Sequence, residues 1–500
     1  MHSARNPLVV AEWTMREFMW WIHSNQFMES VQSLGNMLIL GATVVLPDST
    51  RLADVRISEG IIEAITEPQQ LQPLDNELLI NGSGLHLLPG AIDPQVHFRD
   101  PGQPEREDLE SGSAAAVSGG VTSFLDMPNN KPAITDMAGM QMKLDTAAAK
   151  CINNYGFFIG ATPENVEDLQ EVVGTPGAPL SIPGICGIKV FMGSSTGTLL
   201  VNERAALEII FSKTSGLIAV HAEDEKRLNS RYPDFEHRTD IAAHAEWRDA
   251  TTALLATQLA VELAQTYNHR LHILHLTSGI EADWLNGITS LPSEAGEGAI
   301  ITTETLPQHL TFTDKDVEIH GTRLQMNPPI RYQEDKEILW NRLLDGTIQC
   351  IATDHAPHTL EGKALGFPRA PSGMPGVETS LAVMLTHAKE GKCTIEQVVR
   401  WMSTNVADCF NMIGKGRIEI GADADFVLVD MENEHEVKDE HAWTRVGWNP
   451  FSGRRLVGWA KVTIVGGVPV FERTEATGQK GRILVEKGTS GTPIIMAPWK

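Results

Sequence analysis

Several short apolar runs in this 500-residue chain end on side chains that can bind a divalent cation or move a proton. Residues 87–92 lead into Asp93-Pro-Gln95-Val-His97-Phe-Arg99. Residues 187–192 carry Lys189 in an apolar setting. Residues 217–220 run into His221-Ala-Glu223, residues 271–274 into His275, and residues 347–352 into Thr353-Asp354-His355-Ala-Pro-His358. Imidazole and carboxylate are the donors that zinc and similar divalent ions take from proteins. Taken singly, each residue has a plainer reading. A histidine at a strand end is more often a hydrogen-bonded structural residue, and a lysine inside an apolar strand more often lies at an edge. The repetition of one register over successive strands favours a metal site, because scattered structural histidines would not share it.

Such residues meet only if the strands that carry them are parallel and close together. Between residues 88 and 413 apolar runs at 120–127, 187–192, 217–221, 271–276 and 347–353 alternate with helix-like stretches such as 251–266. Alternating β and α over this length predicts a (β/α)8 barrel, whose strand C-termini form one functional face. A doubly wound sheet is the alternative, but no GxGxxG follows the first strand. Both ends of the chain are β-rich: residues 37–46, 54–58 and 60–65 at one end, and 417–430 and 461–471 at the other, the last a hairpin turning at Gly466-Gly467. They predict one small composite β-domain built from residues 37–87 and 417–473 around a barrel of residues 88–416. A loose tail is expected over 474–500. Residues 1–36 read as an extension. Its aromatic, Met-rich stretch at 13–22 lacks the order of a signal peptide, and either a short amphipathic helix or a dispensable segment fits it.

Composition narrows the function. A formal net charge of −24 repels phosphate backbones and argues against nucleic acid as a partner. No apolar run reaches the roughly 18–20 residues that span a bilayer, so no membrane association is expected. The five cysteines are dispersed and form no CxxC, which fits a reducing, cytoplasmic compartment and no thiolate zinc site.

Longer motifs then become specific. Leu88-Pro-Gly-Ala-Ile-Asp-Pro-Gln-Val-His-Phe-Arg-Asp-Pro-Gly102 resembles the first-strand signature of dihydroorotases, within the amidohydrolase superfamily. Met127-Pro-Asn129, Gln325-Met-Asn327-Pro-Pro-Ile-Arg331, Ala352-Thr-Asp-His-Ala-Pro-His358 with Lys363 after it, Pro371–Thr379 and Gly421-Ala-Asp-Ala-Asp425 are similar to the same family. The resemblance runs from about Met37 to Phe471. It implies a cyclic amide hydrolase that interconverts dihydroorotate and N-carbamoyl-L-aspartate in pyrimidine biosynthesis, with one or two Zn2+ ions per chain. It implies that His97 binds a buried metal, that Lys189 is N6-carboxylated and bridges two metals, that His221 and His275 complete the outer site, and that Asp354 is both metal ligand and proton shuttle. Lysine carboxylation needs a neutral amine, which burial near cations supplies. The resemblance further implies that Arg99 grips the substrate carboxylate with Asn129 and His358, and that Asn327 meets the ring amide. Relatives acting on hydantoins or allantoin usually lack an arginine at this position. The plainer reading of Arg99 is a surface salt bridge to Asp100 or Glu105. Backbone groups of residues 372–375 are expected to line the pocket.

Two positions depart from the pattern. The family's His-x-His is here Gln95-Val-His97, and a neutral amide oxygen is a poor zinc ligand, which weakens the inner metal site. Pro307-Gln-His309 replaces what is often Pro-His-His. The rival readings are another cyclic amidase, an allantoinase or a hydantoinase/dihydropyrimidinase, and an inactive dihydroorotase-like partner subunit. A homo-oligomer or association with aspartate transcarbamoylase is the expected assembly. Metal content and turnover of dihydroorotate separate the three readings.

Overall fold

The computed structural model describes residues 35–498 except 76, 196–198 and 297. The extension and its aromatic stretch at 13–22 therefore lie outside the described residues. Eight parallel strands follow one another in chain order: Ala91–Val96, Val121–Asp126, Asn154–Gly160, Ile185–Phe191, Leu217–His221, Arg270–Ile273, Ile301–Thr305 and Cys350–Ile351. They are called here the first to eighth barrel strands. The ring closes where Val96 pairs with His355 and the His97 amide donates to the His355 carbonyl at 2.8 Å. This is the expected (β/α)8 barrel.

Two strands escaped the sequence reading for a physical reason. The third, Asn154-Tyr-Gly-Phe-Phe-Ile-Gly160, is buried at every position, so it shows no apolar–polar alternation, and Asn154 and two glycines interrupt its apolar run. The seventh, Ile301-Thr-Thr-Glu-Thr305, is polar although wholly buried, because its side chains hydrogen-bond to neighbouring strands. The run at 87–92 is really two strands. His86–Pro89 belongs to the outer sheet, and the barrel begins at Ala91. Gly90 makes the crossing, since a Cβ there would sit 2.1 Å from the Thr122 hydroxyl.

The outer sheet joins Met37–Val45, Thr50–Ser58, Ile61–Thr66, Leu78–Asn81 and His86–Pro89 to Phe426–Asp430, Trp459–Val465, Val468–Glu472 and Arg482–Ile483. Its core is apolar, with Ile39, Val55, Leu87, Phe426 and Ile464 fully buried. The hairpin does turn at Gly466-Gly467, both at positive φ, the geometry a two-residue turn requires. Of residues 417–430 only Phe426–Asp430 is a strand.

The expected loose tail is a correction. Arg482–Ile483 extends the outer sheet. Farther on, Tyr155 donates to Thr492 at 3.1 Å, and Ile494 donates back to Tyr155 at 2.9 Å. Ile494 is buried with Leu125, Phe158 and Phe410. The Gly, Lys and Thr composition hid two apolar anchors, Ile494 and Met496.

Candidate active site

The strand ends deliver the expected residues to one cleft. Gln95, His97, Lys189, His221, His275, Asn327, Asp354 and Ser372 all line a space of about 310 Å³. Its backbone is unusual. Arg99, His275 and Asp354 hold φ of 57°, 37° and 47°, a left-handed region costly for residues with a Cβ.

One half of the cleft is built on His221 and His275. His221 Nε2 lies 2.9 Å from Glu223 Oε2, and Arg248 grips the same carboxylate through Nε at 3.1 Å and Nη2 at 2.5 Å. Arg248 and its other neighbours hold the Glu223 carboxyl well below the usual carboxylate range despite burial. An ionised Glu223 fixes the proton on His221 Nε2 and turns the Nδ1 lone pair to His275 Nε2, 3.0 Å away. Burial lowers the pKa of both imidazoles, which keeps them neutral as metal ligation requires. Two nitrogens each about 2.0–2.1 Å from a tetrahedral zinc would lie about 3.3 Å apart, close to what is found.

The other half is built on His97, Asp354 and Gln95. Asn129 Oδ1 sits 2.6 Å from His97 Nδ1, which makes that nitrogen the donor. His97 Nε2 then directs a lone pair at Asp354 Oδ1, 3.1 Å away. Two facing acceptors with no proton between them suit a cation. Burial lowers the His97 pKa, so a proton does not readily fill that place. Gln95 donates its amide nitrogen to Asp354 Oδ1 at 3.1 Å, while its Oε1 is buried and without a partner.

Lys189 stands in the same interior. Its Nζ is buried without a hydrogen-bond partner, 4.5 Å from the centroid of the Phe191 ring. Burial lowers its pKa to about 7, against the opposing fields of Asp354 and Glu304. Among the described residues no three His, Cys, Asp or Glu side chains form a metal-holding group. Each half supplies two such donors, so a third has to come from elsewhere, and Lys189 Nζ and Gln95 Oε1 are the cleft-lining groups left without a hydrogen-bond partner.

Of the residues assigned to substrate, Asn327 lines the cleft, while Asn129 and His358 stand one hydrogen bond behind it, on His97 and Ser372, and Arg99 lies two residues beyond His97. Arg99 is buried with Nε and Nη2 unpartnered, and burial and Arg106 lower its pKa to about 10. The surface-salt-bridge reading fails, because Asp100 pairs with Lys150 at 2.6 Å and Glu105 with Arg106. Burial and the nearby Arg99 and Lys363 lower the pKa of His358 to about 2, so its ring is neutral. His358 Nε2 meets the Ser372 carbonyl at 3.0 Å. Asn327 Oδ1 lies 3.0 Å from His244 Nε2.

Sequence reasoning missed several supporting groups. Glu223 was in view, but its partner Arg248 was not. Glu304 and His272 form a buried pair at 3.1 Å below the cleft. Asp93 receives the Thr353 hydroxyl at 2.5 Å and so ties the first strand to the eighth. No signal short of the folded barrel would have joined positions so far apart in the chain. His355, inside the Asp-His-Ala-Pro-His motif, faces Glu107 at 3.2 Å and accepts from the Gly376 amide, so it braces the loop instead of facing the cleft.

Paired acceptors at barrel strand ends beside an unpaired lysine define a metal-dependent hydrolase. The model of the amidohydrolase family matches residues 86–470, and the chain belongs to that family as a metal-dependent cyclic amide hydrolase. Among curated proteins it is 35% identical to an allantoinase of Streptomyces avermitilis, over 89% of this chain and 98% of that protein. It is 32% identical to a dihydroorotase of Methanosarcina acetivorans, over 87% of this chain and 92% of that protein. Among solved structures it resembles the L-hydantoinase (dihydropyrimidinase) of Arthrobacter aurescens, with a TM-score of 0.82, 25% identity, and coverage of 92% and 100%.

Proposed function

We propose that this cyclic amide hydrolase is a dihydroorotase, opening the dihydroorotate ring to N-carbamoyl-L-aspartate and closing it in reverse. The observation that carries the reading is Arg99. A buried guanidinium with two unpartnered nitrogens beside the cleft is costly unless an anion meets it. Dihydroorotate brings a carboxylate, which a planar guanidinium can grip through two hydrogen bonds. Asn129 and His358 would stand on either side of that carboxylate, and Asn327 would meet the ring amide.

His221 and His275 would hold one divalent cation, His97 and Asp354 another, and N6-carboxylated Lys189 would supply the shared anionic donor. A zinc-like ion in such a site lowers the pKa of water and polarises a carbonyl. The residues themselves manage the proton. Asp354 Oδ1 already faces Gln95 and His97, which leaves Oδ2 to take the proton of the attacking water. The same atom then returns it to the departing ring nitrogen. Neutral His358 donates no competing proton near that step.

A second reading, allantoinase, is favoured by the Streptomyces avermitilis relative. Allantoin has no carboxylate, so it would leave the Arg99 charge unanswered. Purified protein supplied with zinc and bicarbonate is to be assayed on dihydroorotate, allantoin, hydantoin and dihydrouracil. Dihydroorotate should be hydrolysed with the highest kcat/KM. Preference for an uncharged ring would overturn the reading.

A further inference from the structure

We infer that His244 is a positioning residue that fixes the polarity of the Asn327 amide, so that Asn327 offers a hydrogen-bond donor to the ring carbonyl of the substrate. The inference rests on the reading of the cleft as a cyclic amide site.

An asparagine amide presents an acceptor on one side and a donor on the other, and its neighbours decide which side faces a ligand. Asn327 lines the cleft, and its Oδ1 points away toward His244 Nε2 at 3.0 Å. The Nδ2 group is therefore the side left for the cleft. His244 can donate to Oδ1 only with its proton on Nε2. Burial and Arg248 lower its pKa to about 3, so the ring keeps one proton throughout the neutral range.

The geometry holds this ring still. His244 lies in the short helix Ala242–Trp247, which follows the fifth barrel strand. Its ring packs edge-on against Phe367 at 5.9 Å between centroids. Four residues on, the Arg248 carbonyl accepts from Arg331 Nη1 at 2.8 Å, and Arg331 lies four residues beyond Asn327. The helix and the segment bearing Asn327 are thus joined at two points. Arg248 also grips Glu223, the partner of His221. One segment consequently sets both a metal-side histidine and a substrate-side amide. A cyclic amide presents ring carbonyl oxygens as acceptors when it binds, and a donor aimed at one of them holds the ring equally in the bound and reacting states, so its loss is read in KM.

The test is a double-mutant cycle on the zinc-loaded, bicarbonate-treated enzyme. It uses whichever of dihydroorotate, allantoin, hydantoin or dihydrouracil the wild type turns over best, so a wrong substrate assignment leaves the cycle valid. His244→Phe should raise KM about 3- to 10-fold, the range of one neutral hydrogen bond, with kcat within about 2-fold and metal content unchanged. Asn327→Ala should raise KM at least as much, and the double variant should equal Asn327→Ala alone, since His244 acts through Asn327. His244→Gln, which keeps an N–H donor, should restore KM toward wild type. Its use also guards against misfolding of the Phe variant. Asn327→Asp, which keeps the acceptor for His244 and removes the donor, should be at least as damaging as Asn327→Ala. Additive effects in the cycle, failure of His244→Gln to restore KM, or an Asn327→Asp enzyme with normal KM would each overturn the inference.

Discussion

The two halves of the cleft are made of similar side chains but held in different ways. His221 is set from behind: Glu223 accepts from it, and Arg248 keeps Glu223 ionised. A cation entering there has only to replace the proton shared between His221 Nδ1 and His275 Nε2. The half around His97 is closed on itself, because Asp354 Oδ1 is shared by the Gln95 amide and the His97 ring. A cation entering there must take Asp354 from Gln95. The comparison teaches that affinity is governed by what stands behind a ligand as much as by the ligand itself.

Lys189 lines the cleft between both halves and acts electrostatically on Asp354, His221 and His275, so its removal should have the largest effect. Lys189→Ala should lose nearly all turnover, and short carboxylic acids should restore part of it by standing in for the carbamate. An unmodified, fully active Lys189 in zinc- and bicarbonate-treated protein, seen by mass spectrometry, would break the bridging role. The pH dependence has a definite sign. Capture of carbon dioxide needs the neutral amine, and the lysine pKa is lowered to about 7. Reactivation of metal-free, carbon-dioxide-depleted enzyme should therefore quicken as pH rises through about 7. A rate independent of pH between 6 and 8, read by timed assay at fixed dissolved carbon dioxide, would contradict it.

Next in size comes the well-supported half. His221→Ala or His275→Ala should remove about one metal equivalent per chain, measured by plasma emission spectrometry, and activity should fall with it. Full occupancy in both variants would place the site elsewhere.

Arg99→Met should raise KM for dihydroorotate strongly, by an amount equivalent to about 2–5 kcal/mol, the cost of breaking a buried charge pair. Dihydrouracil, which has no carboxylate, should be affected far less. Equal losses on both rings would remove Arg99 from substrate recognition.

The smallest effect sharpens the comparison most. Under limiting zinc the wild type should hold one metal firmly and the second weakly. Gln95→His should tighten the second without altering the fold, because it replaces an amide competitor for Asp354 with a ligand. Two tightly held ions in the wild type would show that Gln95 yields Asp354 freely.

Much of this arrangement is legible in the amino-acid sequence, and the reason is local. A metal-competent residue at the end of an apolar strand is visible within ten residues, as at His221, His275 and Asp354. What stayed hidden depends on distance. Arg248 reaches Glu223 across 25 residues, and the Thr353 hydroxyl reaches Asp93 across 260. The seventh strand was missed because hydrophobic periodicity cannot register threonines and a glutamate buried among hydrogen-bonding partners. The motif singled out Arg99, yet that its buried Nε and Nη2 lack hydrogen-bond partners is a fact only of the fold.

The left-handed backbone at Arg99, His275 and Asp354 bears on how this enzyme would respond to selection. Each position stores strain that glycine or asparagine would relieve. A library screened only for heat resistance should enrich such replacements at 99, 275 and 354, since relief of local strain stabilises the fold. Those same replacements delete the guanidinium, the imidazole and the carboxylate. Durability and turnover are therefore opposed at three known addresses, and a thermostabilisation campaign on this scaffold should hold them constant from the first round.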